Sequence, residues 1–159
     1  MLSIEEMMQI ADTGDLVMFK GNSIACSIQR TLTGGEYDHV AMFLRFSNGA
    51  LVYFESSANC GVQVFSWEFF VERRSHLHFN KVAFRKLRFK REVGLIRKLE
   101  EFVKTVRGFN YNLDLNKLWQ KKCEDDITNI QPDKTYFCSE LVASCYKCIG
   151  LFPEDLAAS

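Results

Sequence analysis

Three residues that lie far apart in the chain have the types thiol chemistry requires: Cys138, His39 and Glu55. A cysteine sulfur attacks a carbonyl as the thiolate, so it needs a base and surroundings that stabilise the anion. An imidazole is such a base, and a carboxylate on its second nitrogen fixes ring and tautomer. The surroundings of Cys138 are readable in residues 135–150, TYFCSELVASCYKCIG. Apolar residues at Phe137, Leu141, Val142, Cys145 and Ile149 have the spacing of a helix with one buried face. Thr135 or Tyr136 can cap its start, and Gly150 followed by Pro153 ends it. Cys138 then falls in the first turn, where unpaired amides and a partial positive charge favour thiolate over thiol. Glu140 lies roughly 200° around that helix and cannot work beside the thiol; it stabilises the helix start through the dipole. Cys145 and Cys148 read as small core residues, the common fate of a free cysteine.

The elements that would position the base come early in the chain. Residues 37–46, YDHVAMFLRF, alternate as a strand, with Val40, Met42, Leu44 and Phe46 on one face and His39, Ala41 and Phe43 on the other. A strand histidine is ordinarily a hydrogen-bonded core or edge residue. Glu55, at the end of the returning strand 50–55, sharpens the case, and the turn between the strands decides it. A two-residue Asn48-Gly49 loop would pair Ser47 with Ala50 and put His39 and Glu55 on opposite faces. A three-residue loop, Ser47 to Gly49, would pair Phe46 with Ala50. His39 would then lie opposite Ser57, one diagonal step from Glu55 on the same face. Both loops are common, so the spacing permits the pair without requiring it.

The other elements read in order. Ser3 and Glu6 form a capping box for a helix to about Ile10. Residues 15–20 read as a buried strand, and Asn22 or Ser23 caps a second helix carrying Ile24, Ile28 and Leu32, ended by Gly34-Gly35. Residues 61–65 read as a strand, Ser66 caps a short aromatic helix, and 76–89 read as one or two strands. A helix over 92–106 turns Leu95, Leu99, Phe102 and Val106 inward. A loop and short helix around Leu115, Leu118 and Trp119 and an acidic turn at 124–126 precede the cysteine helix. The order predicts an α+β fold with an antiparallel strand set. At 159 residues and with no repeat or linker, a single domain spanning 1–159 is expected. Hydrophobic residues at 47% and charged residues at 25% are globular composition. With zero formal net charge, nothing global steers the chain toward nucleic acid or a membrane, and nucleic acid is not an expected partner. Acids near the N-terminus, the lack of a long apolar run and six cysteines together predict a soluble cytoplasmic protein with free thiols.

The chain resembles the circularly permuted branch of the papain-like cysteine hydrolases, the NlpC-like group that includes YiiX-type enzymes and, more distantly, the lecithin:retinol acyltransferase-like proteins. TGDLVMF at the first strand, YDHVAMF continuing to YFES, NCGVQV, and YFCSELV carry the resemblance. It covers nearly the whole chain, with 72–135 matching only in its order of elements. It implies a permuted papain-like core in which the cysteine helix packs on an antiparallel sheet. It also implies Cys138 as nucleophile, His39 as base, Glu55 as orienting residue and the Cys138 amide in the oxyanion hole, with no cofactor. The activity implied is hydrolysis of an amide, peptide or other acyl bond. An acyltransferase or phospholipase acting on acyl lipids, or a binding module without turnover, would use the same fold.

Other constellations compete. Tyr37, close to His39, is a candidate second oxyanion donor, and Trp67, with Phe69 and Phe70, is either core or the wall of a substrate pocket. Cys26 precedes His39, as in unpermuted enzymes, but is expected in mid-helix without terminal amides. His76 and His78 with Cys145 and Cys148 could be drawn as a zinc set, with poor tetrahedral geometry along one helix. Residues 73–97 hold nine lysines and arginines against one acid. They read either as a solvated basic strand face or as a patch for an anionic membrane surface.

Overall fold

The structure is a computed structural model that describes residues 3–57, 61–106 and 138–153. Contacts group the chain into two compact units, Met1–Phe54 with Phe65–Arg91, and Glu55–Val64 with Glu92–Ser159. The division runs through a strand, not along a linker. The fold is mixed α+β, with a five-stranded antiparallel sheet in the order β4-β3-β2-β1-β5. Its strands are β1 (Leu16–Gly21), β2 (His39–Arg45), β3 (Leu51–Ser57), β4 (Gly61–Ser66) and β5 (Phe79–Arg85).

In the first unit the Ser3–Glu6 capping box forms as expected and opens α1 (Ile4–Ile10). Ser66 caps α3 (Trp67–Glu72) by accepting from the Phe69 N–H. These helices cover one face of the sheet, where Val17, Phe19, Ala41, Phe43, Leu51 and Tyr53 meet Met7, Ala11, Trp67 and Phe70. Aromatic rings fill much of that core: Phe43 meets Trp67 edge-on at 4.8 Å, and Trp67 stacks on Phe70 at 4.7 Å. The alternation expected along β2 holds, but both of its faces are buried, Met42 and Leu44 as fully as Ala41 and Phe43. Only one strand occupies 76–89; Ser75–His78 before it is a 3-10 turn.

The chain after β5 is fastened to the start of β1. Buried Asp15 accepts from the Leu87 N–H (2.8 Å) and pairs with Arg91, whose Nε also donates to the Thr13 carbonyl (2.8 Å). A buried carboxylate is tolerable because an arginine and a backbone amide both satisfy it.

In the second unit, α4 (Val93–Val106) buries Leu99 and Val103, with Leu95, Phe102 and Val106 only partly covered. The inward stripe is therefore centred one residue later than expected at its C-terminal end. The last helix, α5 (Cys138–Cys148), buries Leu141, Val142, Cys145 and Tyr146, with Ile149 buried just beyond it. It ends in a Schellman turn: the Gly150 N–H donates to the Lys147 carbonyl (2.9 Å) and the Leu151 N–H to that of Tyr146 (2.8 Å). Its proposed caps Thr135 and Tyr136, the short helix around Trp119 and the acidic turn at 124–126 lie outside the described residues.

Candidate functional site

His39 is the first residue of β2 and not a mid-strand one, and it lies opposite Phe19 of β1, whose ring it stacks against at 5.8 Å. Its backbone is held by its neighbour Asp38, a residue the sequence reading passed over. The Asp38 N–H donates to the Phe19 carbonyl (3.1 Å), and the Asp38 carbonyl accepts from Gln29 Nε2 (3.1 Å). The Asp38 side chain, 4% exposed, accepts from the Gly21 N–H at 3.0 and 3.1 Å and from the Arg30 guanidinium. Burial alone would push this carboxyl up. The Gly21 amide, Arg30 and the Cys26 thiol outweigh it and hold the group below the usual aspartate range. The one sequence signal was an acid directly before the candidate base.

Gly21 makes that cluster possible. A Cβ there would stand 2.6 Å from Cys26 Sγ and 3.1 Å from Asp38 Oδ1, so a side chain would displace both. Cys26 itself lies in the first turn of α2 (Ile24–Thr33), correcting the mid-helix expectation. Its amide is capped by Ser23 Oγ (3.1 Å), and its thiol is engaged inward by Asp38.

The β2–β3 hairpin answers the question its loop left open. Phe43 pairs with Tyr53 and Arg45 with Leu51, and the Phe46 N–H donates to the Ala50 carbonyl (2.9 Å). The loop is therefore the three-residue one, Ser47 to Gly49, with Gly49 at φ +87, which glycine adopts readily. Along this ladder His39 shares a face with Phe43, and Glu55 shares one with Tyr53, the partner of Phe43.

Tyr37 is half-buried, with the Lys81 ammonium 5.5 Å from its ring centre. Lys81 is held above the usual lysine range first by its hydrogen bond to Glu36 (2.7 Å) and next by one to Tyr37. Trp67 is fully enclosed, its Nε1 donating to the Ile4 carbonyl (3.4 Å). It lies in the hydrophobic core against Phe43, Tyr53 and Phe70.

In the second unit the three thiols of α5 have different surroundings. Cys138 is the first residue of the helix and half-buried. Cys145 is fully buried, and burial, with Cys148 nearby, pushes its thiol well above the ordinary range. Cys148 donates to the Lys98 carbonyl of α4 at 3.7 Å. Among the described residues no three His, Cys, Asp or Glu side chains are grouped to hold a metal ion. His76 and His78 belong to the first unit and Cys145 and Cys148 to the second. Nor, among the described residues, is any helix long and apolar enough to cross a membrane.

No protein-family model matches this sequence, and no curated protein matches it significantly. Among solved structures the fold is similar to that of YiiX from Escherichia coli O157:H7, described as a metalloprotein of the DUF1105 group. The match has a TM-score of 0.57 and 20% identity, and covers 86% of this chain and 65% of YiiX. This chain therefore spans just under two thirds of that neighbour's length. The class of the protein is thus an α+β domain with a YiiX-like fold.

Proposed function

We propose that the protein is a thiol hydrolase of permuted papain-like architecture, with Cys138 as nucleophile, His39 as base and Glu55 as orienting carboxylate. The observation that carries the reading is the position of Cys138 as the half-buried first residue of α5, where the helix-start amides and dipole favour the thiolate. The three-residue hairpin loop supports it, since that is the loop the pairing of His39 with Glu55 requires. The fold shared with YiiX supports the architecture.

In the proposed reaction His39 takes the proton from Cys138 Sγ, and the thiolate attacks the substrate carbonyl carbon. The Cys138 amide donates to the developing oxyanion. The imidazolium then gives its proton to the departing amine or alkoxide, leaving a thioester on Cys138. Water, deprotonated by His39, attacks that thioester, the acid departs, and the thiol is restored. The residues commit to an acyl bond and not to one acyl group.

Competitive labelling with limiting iodoacetamide, read by peptide mass spectrometry, tests the nucleophile. Cys138 should be alkylated well ahead of Cys26, Cys145 and Cys148, and Cys138→Ala should remove the fast phase. Alkylation of all the thiols at one rate would leave a binding module on a hydrolase-like fold.

A further inference from the structure

Helix α2 is built inside out. Ile24, Ile28, Leu32 and, in the nearby 3-10 turn, Leu77 are 81%, 55%, 82% and 65% exposed, and no residue of α2 is buried. Its partly buried side chains, Arg30 and Cys26, are polar and turn toward Asp38 instead. Arg30 reaches the Asp38 carboxylate and the Gly21 carbonyl (3.2 Å), Gln29 the Asp38 carbonyl, and Cys26 the Asp38 carboxylate. A surface helix ordinarily turns its apolar stripe to the core and its polar face to water. Here polar groups anchor the helix to the end of the sheet, and the stripe is left in solvent.

Several observations indicate what covers it. The hydroxyls of Thr31 and Thr33 donate to the Ser27 and Gln29 carbonyls of the same helix, both at 2.9 Å, so their protons are already bonded within the helix. Residues 22–35 contain no aspartate or glutamate, and their one charge, Arg30, points inward. A further exposed apolar residue, Leu77, lies in a turn tied to the start of the helix. Asn22 Nδ2 donates to the His78 carbonyl (3.0 Å), joining the turn Ser75–His78 to the start of α2. Leu77 in that turn follows exposed Arg73 and Arg74, and Arg73 is steadied 4.6 Å above the Phe69 ring. The result is an exposed apolar stripe with Arg73 and Arg74 in a neighbouring turn, beside the exposed acids Glu36 and Glu72. Four apolar side chains are few for a stable protein interface, which takes roughly 800 Å² and 20–30 residues per partner. They suit a lipid boundary, which needs apolar groups to reach only about 5–10 Å into the headgroup and acyl region.

We infer that this stripe docks the protein on an anionic bilayer, with Ile24, Ile28, Leu32 and Leu77 entering the acyl boundary and Arg73 and Arg74 meeting the headgroups. Docking is a binding event independent of thiol chemistry, so each can fail without the other.

Flotation of the full chain with phosphatidylcholine–phosphatidylserine vesicles tests it, with phosphatidylcholine vesicles for comparison. The wild type should float with the anionic vesicles, and Ile24→Ser/Ile28→Ser/Leu32→Ser should weaken that binding at least about tenfold. Arg73→Gln/Arg74→Gln should remove the salt-sensitive part. An Ile28→Trp reporter should shift its emission to the blue on adding vesicles. Undiminished flotation of the triple-serine variant would overturn the proposal, as would no flotation of the wild type. So would a wild-type dimer, seen by sedimentation, that the triple variant abolishes, because a second copy would then be the occupant. Binding to a DNA oligonucleotide as tight as to vesicles, and unchanged in the triple variant, would assign the cations to a polyanion and equally overturn it.

Discussion

Helices α2 and α5 are nearly equal in length, and each carries a cysteine in its first turn, but they are held in opposite ways. α5 buries Leu141, Val142, Cys145 and Tyr146 and leaves Cys138 half-exposed at its start. α2 buries nothing fully, turns Cys26 inward onto Gly21 and Asp38, and leaves its isoleucines and leucine outside. The amphipathic spacing of the two stretches looks alike, so spacing reports that a helix has an apolar stripe and not which way the stripe faces. The direction follows from what lies opposite. α5 belongs to a unit with an apolar partner in α4, whereas α2 meets a carboxylate and a strand-end carbonyl.

Substitutions can break this contrast. The largest effect is expected at Leu141, fully buried in α5: Leu141→Ala should destabilise by about 2–5 kcal/mol in urea denaturation, leaving a cavity the helix cannot collapse to fill. Asp38→Ala removes the acceptor on which α2 is anchored. It should lower stability by about 1.5–3 kcal/mol and speed amide exchange in α2 far more than in α5. The wild-type anchor also has a defined pH dependence. Because the folded Asp38 pKa is depressed, its contribution is complete above the ordinary aspartate value near 3.9 and is lost as pH falls below it. The protection factors of α2 amides, corrected for the intrinsic pH dependence of exchange, should therefore fall on acidification in the wild type and stay flat over that range in Asp38→Ala.

Gly21→Ala should destabilise by about 1–3 kcal/mol through the clash with Cys26 Sγ. Cys26→Ala in the same chain should restore much of that loss, and a purely additive double variant would remove the close packing as its cause. Cys138→Ala should change stability by no more than about 1–2 kcal/mol while removing the fast-labelling thiol. The smallest effect belongs to the outer face of α2. Ile24→Ser, Ile28→Ser and Leu32→Ser should each stay within about 0.5 kcal/mol of wild type in the absence of lipid. A large loss there would mean that the stripe is covered in solution and that the two helices are built alike.

Much of the fold was legible because its signals are short-range. The Ser3–Glu6 capping box, the Ser66 cap, the Gly34 stop and the apolar positions Leu141, Val142, Cys145 and Ile149 of the cysteine stretch each depend on residues within one or two turns. What was misread depends on distant partners. The one local exception is the start of α2, where spacing admits Asn22 as well as Ser23 as N-cap and only Ser23 puts Cys26 in the first turn. The cluster around Asp38 went unseen because it joins a strand end, a helix and a loop across 17 residues. An aromatic residue in a short helix, such as Trp67, fits core or pocket until its neighbours are known.

Residue spacing along the chain was sufficient to place Cys138 at a helix start, His39 on a strand and Glu55 on the strand that returns beside it, since hydrogen bonds within a turn and the alternation of side chains are local matters. Long-range packing chose the three-residue loop over the two-residue one, enclosed Trp67 and turned α2 outward. Each of those outcomes compares burial on one side of an element with burial on the other, and that balance exists only once the far parts of the chain have come together.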